Sequence, residues 1–230
     1  MGPFEAFYES PLQHPILLWG AALLAGAWAL TRPGLAPSLR RYCGFLLVLS
    51  LLDAWLTARH VYGLGELGGA ATRFVPLFFV LAGDARYLLL LGAASPRGGV
   101  EIDGRRLLVA AALTLVVPLF SQTVMALLPS TLGGARVLFL VYELAFAALT
   151  LALMRWHPGL RAAPWLMPVS RFVVLYYCLW ASADAILLAT GSDLGFALRV
   201  VPNALYYGGL IAVIAWAGER ANEAEGKEPR

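Results

Sequence analysis

The chain has 230 residues, of which 60% are apolar and only 13% are charged, whereas about 25% of the residues in an average soluble domain are charged. This composition excludes an ordinary soluble globule. Seven spans of about 20 residues would leave too little chain for a soluble catalytic domain. The formal net charge of +3 is small and is explained below by membrane topology.

Seven long apolar runs follow one another along the chain, and a run of about 20 such residues can cross the hydrocarbon core of a bilayer. The predicted spans are 15–31, 42–61, 72–93, 106–128, 135–156, 169–190 and 195–217. Breaks rich in proline and glycine separate them, such as "RPGLAP" and "HPGLRAAP". The sequence therefore predicts an all-α, polytopic membrane protein with a single seven-helix domain over residues 1–230.

We expect neither a cleaved signal peptide at the start of the chain nor an ordered tail at its end. The first span follows the acidic stretch "MGPFEAFYES", and a secretory signal peptide would instead begin with a basic region. We therefore expect the first helix to be retained. The polar tail at 218–230 is short, and we expect it to be frayed.

Orientation follows from the basic residues, because cytoplasmic loops carry an excess of Lys and Arg. Twelve of the 17 basic residues flank the spans on the side of the C-terminus and four on the side of the N-terminus, while Arg86 lies within a span. We expect the N-terminus outside, the C-terminus in the cytoplasm, and Arg86 extended towards the inner headgroups. Sixteen Arg to one Lys is typical of a GC-rich bacterium, which predicts the cytoplasmic (inner) membrane.

A weak internal repeat relates the first and last thirds of the chain. The Pro-Gly-Leu at 33–35 recurs at 158–160, the Asp-Ala at 53–54 recurs at 184–185, and the Arg73 motif "RFVP" resembles "RVVP" at 199–202. These landmarks predict two three-helix units, 11–93 and 135–217, joined by a linker helix at 106–128. Both copies would share one orientation, as in parallel transporter repeats.

This 3+1+3 plan resembles the SWEET and PQ-loop transporters and, more distantly, the seven-helix microbial opsins. The resemblance covers the whole chain at the level of topology, although no Pro-Gln dipeptide marks a PQ-loop motif. An opsin needs a lysine in its last helix to bind retinal, and the only lysine here is Lys227 in the tail. The resemblance thus implies a seven-helix bundle that does not bind retinal.

No cofactor is expected from the remaining ligand types. The two cysteines and three histidines form no CxxC motif and no pair at helical spacing, so we expect no disulfide framework, zinc site or haem. The expected partners are the lipid bilayer and an unknown small solute or ligand, but not nucleic acid. A homo-oligomer and a partner membrane subunit both stay open.

Ionisable side chains at bilayer depth are costly and therefore mark candidate sites. On span 2, Ser50, Asp53, Thr57 and His60 lie within about 80° on a helix, and two further spans carry similar polar faces. The Gly208-Gly209 pair is expected to let another helix approach closely. The candidate substrate- or ion-binding residues are Asp53, His60, Arg73, Asp84, Glu143, Tyr177, Asp184, Arg199, Asn203 and Tyr206.

Counted from the predicted outer ends of the spans, these residues would line a cavity that opens outward and narrows towards the midplane. Each repeat unit would hold one Asp and Arg pair, Asp53 with Arg73 and Asp184 with Arg199. The alternative is that each carboxylate merely hydrogen-bonds a neighbouring helix and holds the bundle together.

Three classes of function follow from this arrangement. A small secondary transporter or facilitator would rock one unit against the other, with Asp53, Asp184 and Glu143 binding a cation or exchanging a proton. A seven-helix sensor or accessory subunit would bind a ligand and transport nothing. An intramembrane lipid-modifying enzyme is the third class, but it has no motif, since Ser50 and His60 would lie about 15 Å apart along one helix.

Overall fold

The computed structural model describes residues 1–58, 71–129 and 134–225. Within these residues the protein is all-α, apart from one isolated bridge between Ala94 and Val100. The helices are α1 (Pro3–Tyr8), α2 (Leu18–Thr31), α3 (Pro37–Leu56), α4 (Ala71–Ala93), α5 (Gly104–Thr114), α6 (Val116–Leu127), α7 (Ala135–Trp156), α8 (Pro158–Ala162), α9 (Leu166–Thr190), α10 (Leu194–Ala204) and α11 (Leu210–Glu225). Two π-helical segments, Leu12–Leu17 and Leu205–Gly209, precede α2 and α11.

Five helical stretches are long and apolar enough to cross a membrane, which indicates a multi-pass membrane protein. They are Leu12–Thr31, Gly104–Leu127, Ala135–Trp156, Leu166–Thr190 and Leu194–Ala224. The other two predicted spans fall on α3, which contains Arg40, Arg41 and Asp53, and on α4. The count of seven spans, the repeat and the orientation of the termini stay predictions.

Prolines explain where the observed helices differ from the predicted spans. Helix α3 begins at Pro37, before the predicted 42, because proline suits the first helical position. Helix α9 begins at Leu166 and contains Pro168 in its first turn, where no backbone N–H partner is lost. The predicted fourth span divides at Leu115, since Pro118 can neither donate to Thr114 nor fit against its carbonyl.

The last span is longer than predicted and contains the second π-helical segment. It runs from α10 through Leu205–Gly209 into α11, which ends at Glu225. The Glu219 carboxylate binds Arg32 at 2.6 Å, and the Asn222 amide donates to the Gly34 carbonyl at 3.0 Å. The prediction of a frayed tail from residue 218 is therefore wrong as far as Glu225, and 226–230 lie outside the described residues.

The long helices pack side by side and form a bundle. Helix α2 packs against α3 and α11, α11 against α9, α9 against α7, α7 against α6, and α4 against α3 and α5. Gly208 lies so close to the Ala21 backbone of α2 that a β-carbon there would collide with the Ala21 carbonyl. The predicted close approach of a helix at Gly208 is confirmed.

The two ends of the bundle are built differently. At the end where α4 finishes, Leu88, Leu90 and Leu91 are fully buried, and the Trp165 indole donates to the Ser95 carbonyl at 2.8 Å. The other end carries α1, whose first backbone amides, Phe4 and Glu5, each donate to an Asp193 oxygen at 2.7 Å. We call these the closed end and the α1 end.

Candidate functional site

A cavity of about 490 Å³ lies in the half of the bundle nearest the α1 end and extends to the middle of α4 and α9. This volume is in the range of small-molecule sites, about 300–1,000 Å³. Its walls are mostly apolar and aromatic. Seven of the ten candidate residues line it: Asp53, Asp84, Glu143, Tyr177, Arg199, Asn203 and Tyr206.

Asp84 lies at the bottom of this cavity and is 2% exposed. The hydroxyl groups of Tyr142 on α7 and Tyr177 on α9 each donate to one of its carboxylate oxygens. Among the described residues no Arg or Lys lies within ion-pair distance of Asp84. Its partners are therefore two neutral hydroxyl groups, which leave the charge of the carboxylate uncompensated at close range.

Two further carboxylates, those of Asp184 and Glu143, lie nearer the α1 end, and arginines bind both of them. Arg199 on α10 forms ion pairs with Asp184 on α9 and, at 3.5 Å, with Glu143 on α7. Arg136 also reaches Asp184 at 3.2 Å, and the Arg199 Nε donates to the Tyr8 hydroxyl at 3.2 Å. We call this set the arginine cluster; it joins α1, α7, α9 and α10.

Asp184 and Glu143 differ in how they face the cavity. Asp184 is 0% exposed, does not line the cavity, and lies behind Arg199. Glu143 is 5% exposed and lines the cavity, and its Oε2 has no hydrogen-bond partner in the part of the chain that the structure describes. An unpaired buried carboxylate oxygen is costly, so Glu143 Oε2 is an open acceptor in the wall.

Asp53 occupies the side of the cavity formed by the end of α3. The Thr57 hydroxyl lies 2.6 Å from the Asp53 carbonyl and 3.3 Å from its carboxylate, and it also contacts the His14 ring at 3.2 Å. The Tyr207 side chain interacts with the same carboxylate. The polar stripe predicted on span 2 thus points into the bundle as far as Thr57.

Arg86 is the clearest error of the sequence interpretation. It does not extend to the headgroups but is 3% exposed, and its guanidinium donates to the Tyr206 carbonyl at 2.7 Å and to the Ser50 hydroxyl at 3.3 Å. The guanidinium also lies 3.8 Å from the centre of the Tyr206 ring. The carbonyl it uses belongs to the π-helical segment, where regular helical pairing is interrupted.

Aromatic side chains form much of the cavity wall. The ring centre of Trp180 lies 5.5 Å from that of Tyr177 and 5.2 Å from that of Tyr206. The Trp180 indole donates to the Asn203 side-chain oxygen at 2.8 Å, which fixes both residues at the wall. These contacts combine a rigid apolar surface with a few fixed polar groups, as is typical of ligand sites.

The structure describes only part of the remaining candidate residues, those that do not line the cavity. His60 lies outside the described residues, and Arg73 lies in the first turn of α4, where the side chains are not described. The expected pair of Asp184 with Arg199 is present. Sequence reasoning missed the cavity residues Tyr8, His14, Ser121, Gln122, Tyr142 and Tyr207. The position of Tyr142 next to Glu143 was the available signal.

Among the described residues no group of three or more His, Cys, Asp and Glu is arranged to hold a metal ion. No family model matches the chain, and neither the curated proteins nor the solved structures contain a significant match to it.

Proposed function

We propose that this protein is a small secondary transporter or facilitator with seven membrane-spanning helices, with its N-terminus outside and its C-terminus in the cytoplasm of a bacterial inner membrane. One observation carries the proposal: carboxylates from three different helices, Asp53, Asp84 and Glu143, line a single cavity inside an apolar bundle. Such groups are costly at bilayer depth and typically mark substrate or ion pathways.

The residues assigned to transport differ in part from those expected from the sequence. Asp184 is held by Arg136 and Arg199 and does not line the cavity. Its role in the proposal is to hold helices together. In the proposal, Asp84 replaces Asp184 and acts together with Asp53 and Glu143 in binding a cation or exchanging a proton, because the partners of Asp84 are neutral hydroxyl groups.

Transport requires the cavity to open alternately on both sides. The described structure is packed at the closed end, where Arg86 bridges Ser50 and the Tyr206 carbonyl below the cavity. Two breaks in helix geometry lie beside the cavity, at Leu115 and at the π-helical segment after Pro202. Helices bend at such breaks, which supports rocking of one part of the bundle against the other.

The proposal is tested by transport in proteoliposomes. Wild-type protein is reconstituted with an imposed pH gradient, and accumulation of a panel of small solutes is measured by mass spectrometry. We expect at least one solute to accumulate, and the double variant Asp84→Asn/Glu143→Gln to lose most of that uptake. The matched control is Glu223→Gln, which removes an exposed carboxylate outside the cavity. Uptake by the double variant at the wild-type rate would overturn the assigned roles.

A sensor or accessory subunit is the second candidate, and a specific observation favours it. Tight packing blocks the cavity at the closed end, and α1 contacts the other end through the hydrogen bond between Arg199 and Tyr8. A cavity blocked at one end can bind a ligand without passing it across.

The transporter and the sensor can be distinguished by whether a reagent reaches the cavity wall from one side of the membrane or from both. Ser121 is buried and lines the cavity, so Ser121→Cys in a background lacking Cys43 and Cys178 gives a probe of similar size. Membrane-impermeant maleimide is applied from each side of sealed vesicles. Labelling from both sides supports a transporter, and labelling from one side only supports a sensor.

A further inference from the structure

We propose that the cavity binds a protonated organic amine, with the ammonium group donating to Glu143 and an apolar body lying against the aromatic wall. This inference rests on the proposed function only in its choice of cavity. It names the class of ligand, which the transport proposal leaves open.

The charge of the site favours a cation. In the described part of the chain, three carboxylates (Asp53, Asp84 and Glu143) and Arg199 line the cavity, and Asp184, Arg86 and Arg136 lie behind its wall, which makes four carboxylates against three guanidinium groups. The three arginines already have partners. An anionic ligand would add to this excess of one negative charge, whereas a monovalent cation restores neutrality in a medium of low dielectric constant.

The open acceptor favours a cation that carries N–H groups. Glu143 lines the cavity, and its Oε2 is buried and lacks a donor among the described residues. A quaternary ammonium ion has no N–H and would leave this oxygen unpaired. A primary ammonium ion has three donors, so it can donate to Glu143 Oε2.

The aromatic wall favours an apolar body on the same ligand. Tyr177, Trp180 and Tyr206 form a continuous set of rings at the cavity surface. The protein already places one cation against this set, because the Arg86 guanidinium lies 3.8 Å from the centre of the Tyr206 ring. Aromatic faces attract cations and pack against apolar rings.

The test measures equilibrium binding to protein in lipid nanodiscs, where no gradient exists. Three probes of similar shape are compared: phenethylammonium, phenethyltrimethylammonium and the neutral 2-phenylethanol. Because a charge-assisted hydrogen bond contributes about 1.5–3 kcal/mol, we expect phenethylammonium to bind at least tenfold more tightly than either of the other two. Equal affinity for the amine and the alcohol would overturn the proposal.

A variant locates the binding site of the ammonium group. Glu143→Gln is expected to weaken phenethylammonium binding about tenfold while leaving 2-phenylethanol binding unchanged, and Glu223→Gln is expected to change neither. Wild-type affinity for phenethylammonium in Glu143→Gln would contradict the proposal. If that variant does not fold, Asp84→Asn is used with the same probes, and the same selective loss of amine binding is expected.

The binding and transport tests fail separately. Amine binding without uptake of any solute supports this inference and contradicts the transporter. Uptake of a neutral or anionic solute without amine binding contradicts this inference and supports the transporter.

Discussion

Asp84 and Asp184 are equally buried aspartates on two helices of the same bundle, with 2% and 0% exposure, yet their partners are of opposite kinds. Two tyrosine hydroxyl groups bind Asp84, and two arginines bind Asp184. An arginine stays charged in any protein environment and so gives Asp184 a permanent countercharge. A hydroxyl group provides none, so of these two aspartates Asp84 is the one left for a ligand to neutralise.

This comparison teaches that burial of a carboxylate in a membrane bundle does not by itself indicate a functional site. In the arginine cluster, Arg136 and Arg199 bind Asp184 and hold four helices together. The Asp84 site places a charge where only a ligand, a proton or a more distant residue can balance it. The following predictions test that distinction, from the largest expected effect to the smallest.

Removal of Arg199 is expected to have the largest effect. Arg199→Met leaves Glu143 without its cation and Asp184 with only Arg136, and an uncompensated buried charge costs about 3–5 kcal/mol of unfolding free energy. The measurement is denaturant or thermal unfolding in detergent. The control is Arg171→Met, because Arg171 is exposed; a loss of similar size there would mean that the cluster has no special structural role.

The two aspartates themselves give the direct comparison. Asp184→Asn weakens charge-assisted bonds to two arginines, so we expect a loss of about 1.5–3 kcal/mol in stability. Asp84→Asn keeps an acceptor oxygen and loses no fixed ion pair among the described residues, so a loss below about 1.5 kcal/mol is expected. The same unfolding assay measures both, and a larger loss for Asp84→Asn would reverse the assignment.

The tyrosine bonds to Asp84 are tested by a double-mutant cycle. Tyr177→Phe removes one donor from a buried carboxylate and should cost about 1–3 kcal/mol. In the Asp84→Asn background the cost should be clearly smaller, because the charge that strengthens the bond is gone. Additive costs in the two backgrounds would show that Tyr177 contributes by packing alone.

Part of the contrast between these two sites was predictable from the sequence, and part was not. The pairing of Asp184 with Arg199 followed from depth along the spans, and most of the candidate residues do line one cavity. Tyr177 was a candidate residue, but its bond to Asp84 did not follow, because spacing along one helix does not show which side chains meet between two helices. Depth also misled for Arg86: its side chain is long enough to reach headgroups, but the π-helical segment offers a free carbonyl inside.

The helix boundaries were likewise only partly predictable from the sequence. Prolines mark boundaries that the apolar runs missed: α3 begins at Pro37 and not at the predicted 42, and the break at Leu115 before Pro118 was not resolved. The helical extension to Glu225 depends on the Glu219 ion pair with Arg32, and these residues are 187 positions apart along the chain. Local composition carries no information about a contact of that separation.

Substitution of His157 is expected to have the smallest effect on stability. It provides a reference for experiments that measure the pH dependence of stability in Asp84 or Asp184 variants. His157 lies between spans, accepts from the Gly159 amide at 3.0 Å as the cap of α8, and has its pKa lowered by burial. A lowered pKa means that the unfolded chain binds the proton more readily, so this contribution to stability is present above the unfolded pKa and is lost as pH falls through the folded one. Stability measured against pH in His157→Ala should lack this loss.

In the same reference experiment, His157→Ala should cost about 1 kcal/mol at neutral pH, because a cap is removed. The acid-induced change that remains in that variant belongs to the other titrating groups. An unchanged pH profile in His157→Ala would show that this residue makes no measurable contribution.

The π-helical segment has a consequence for insertions and deletions. Tyr206 and Tyr207 are both buried, and the wider turn of a π-helical segment accommodates one residue more than a regular helix does. Deleting one residue from 205–209 would restore a regular helix and rotate everything after it by about 100° relative to α10. Ile211 and Ile214, both fully buried, would then face lipid, so the length of this short segment fixes which face of α11 belongs to the protein interior.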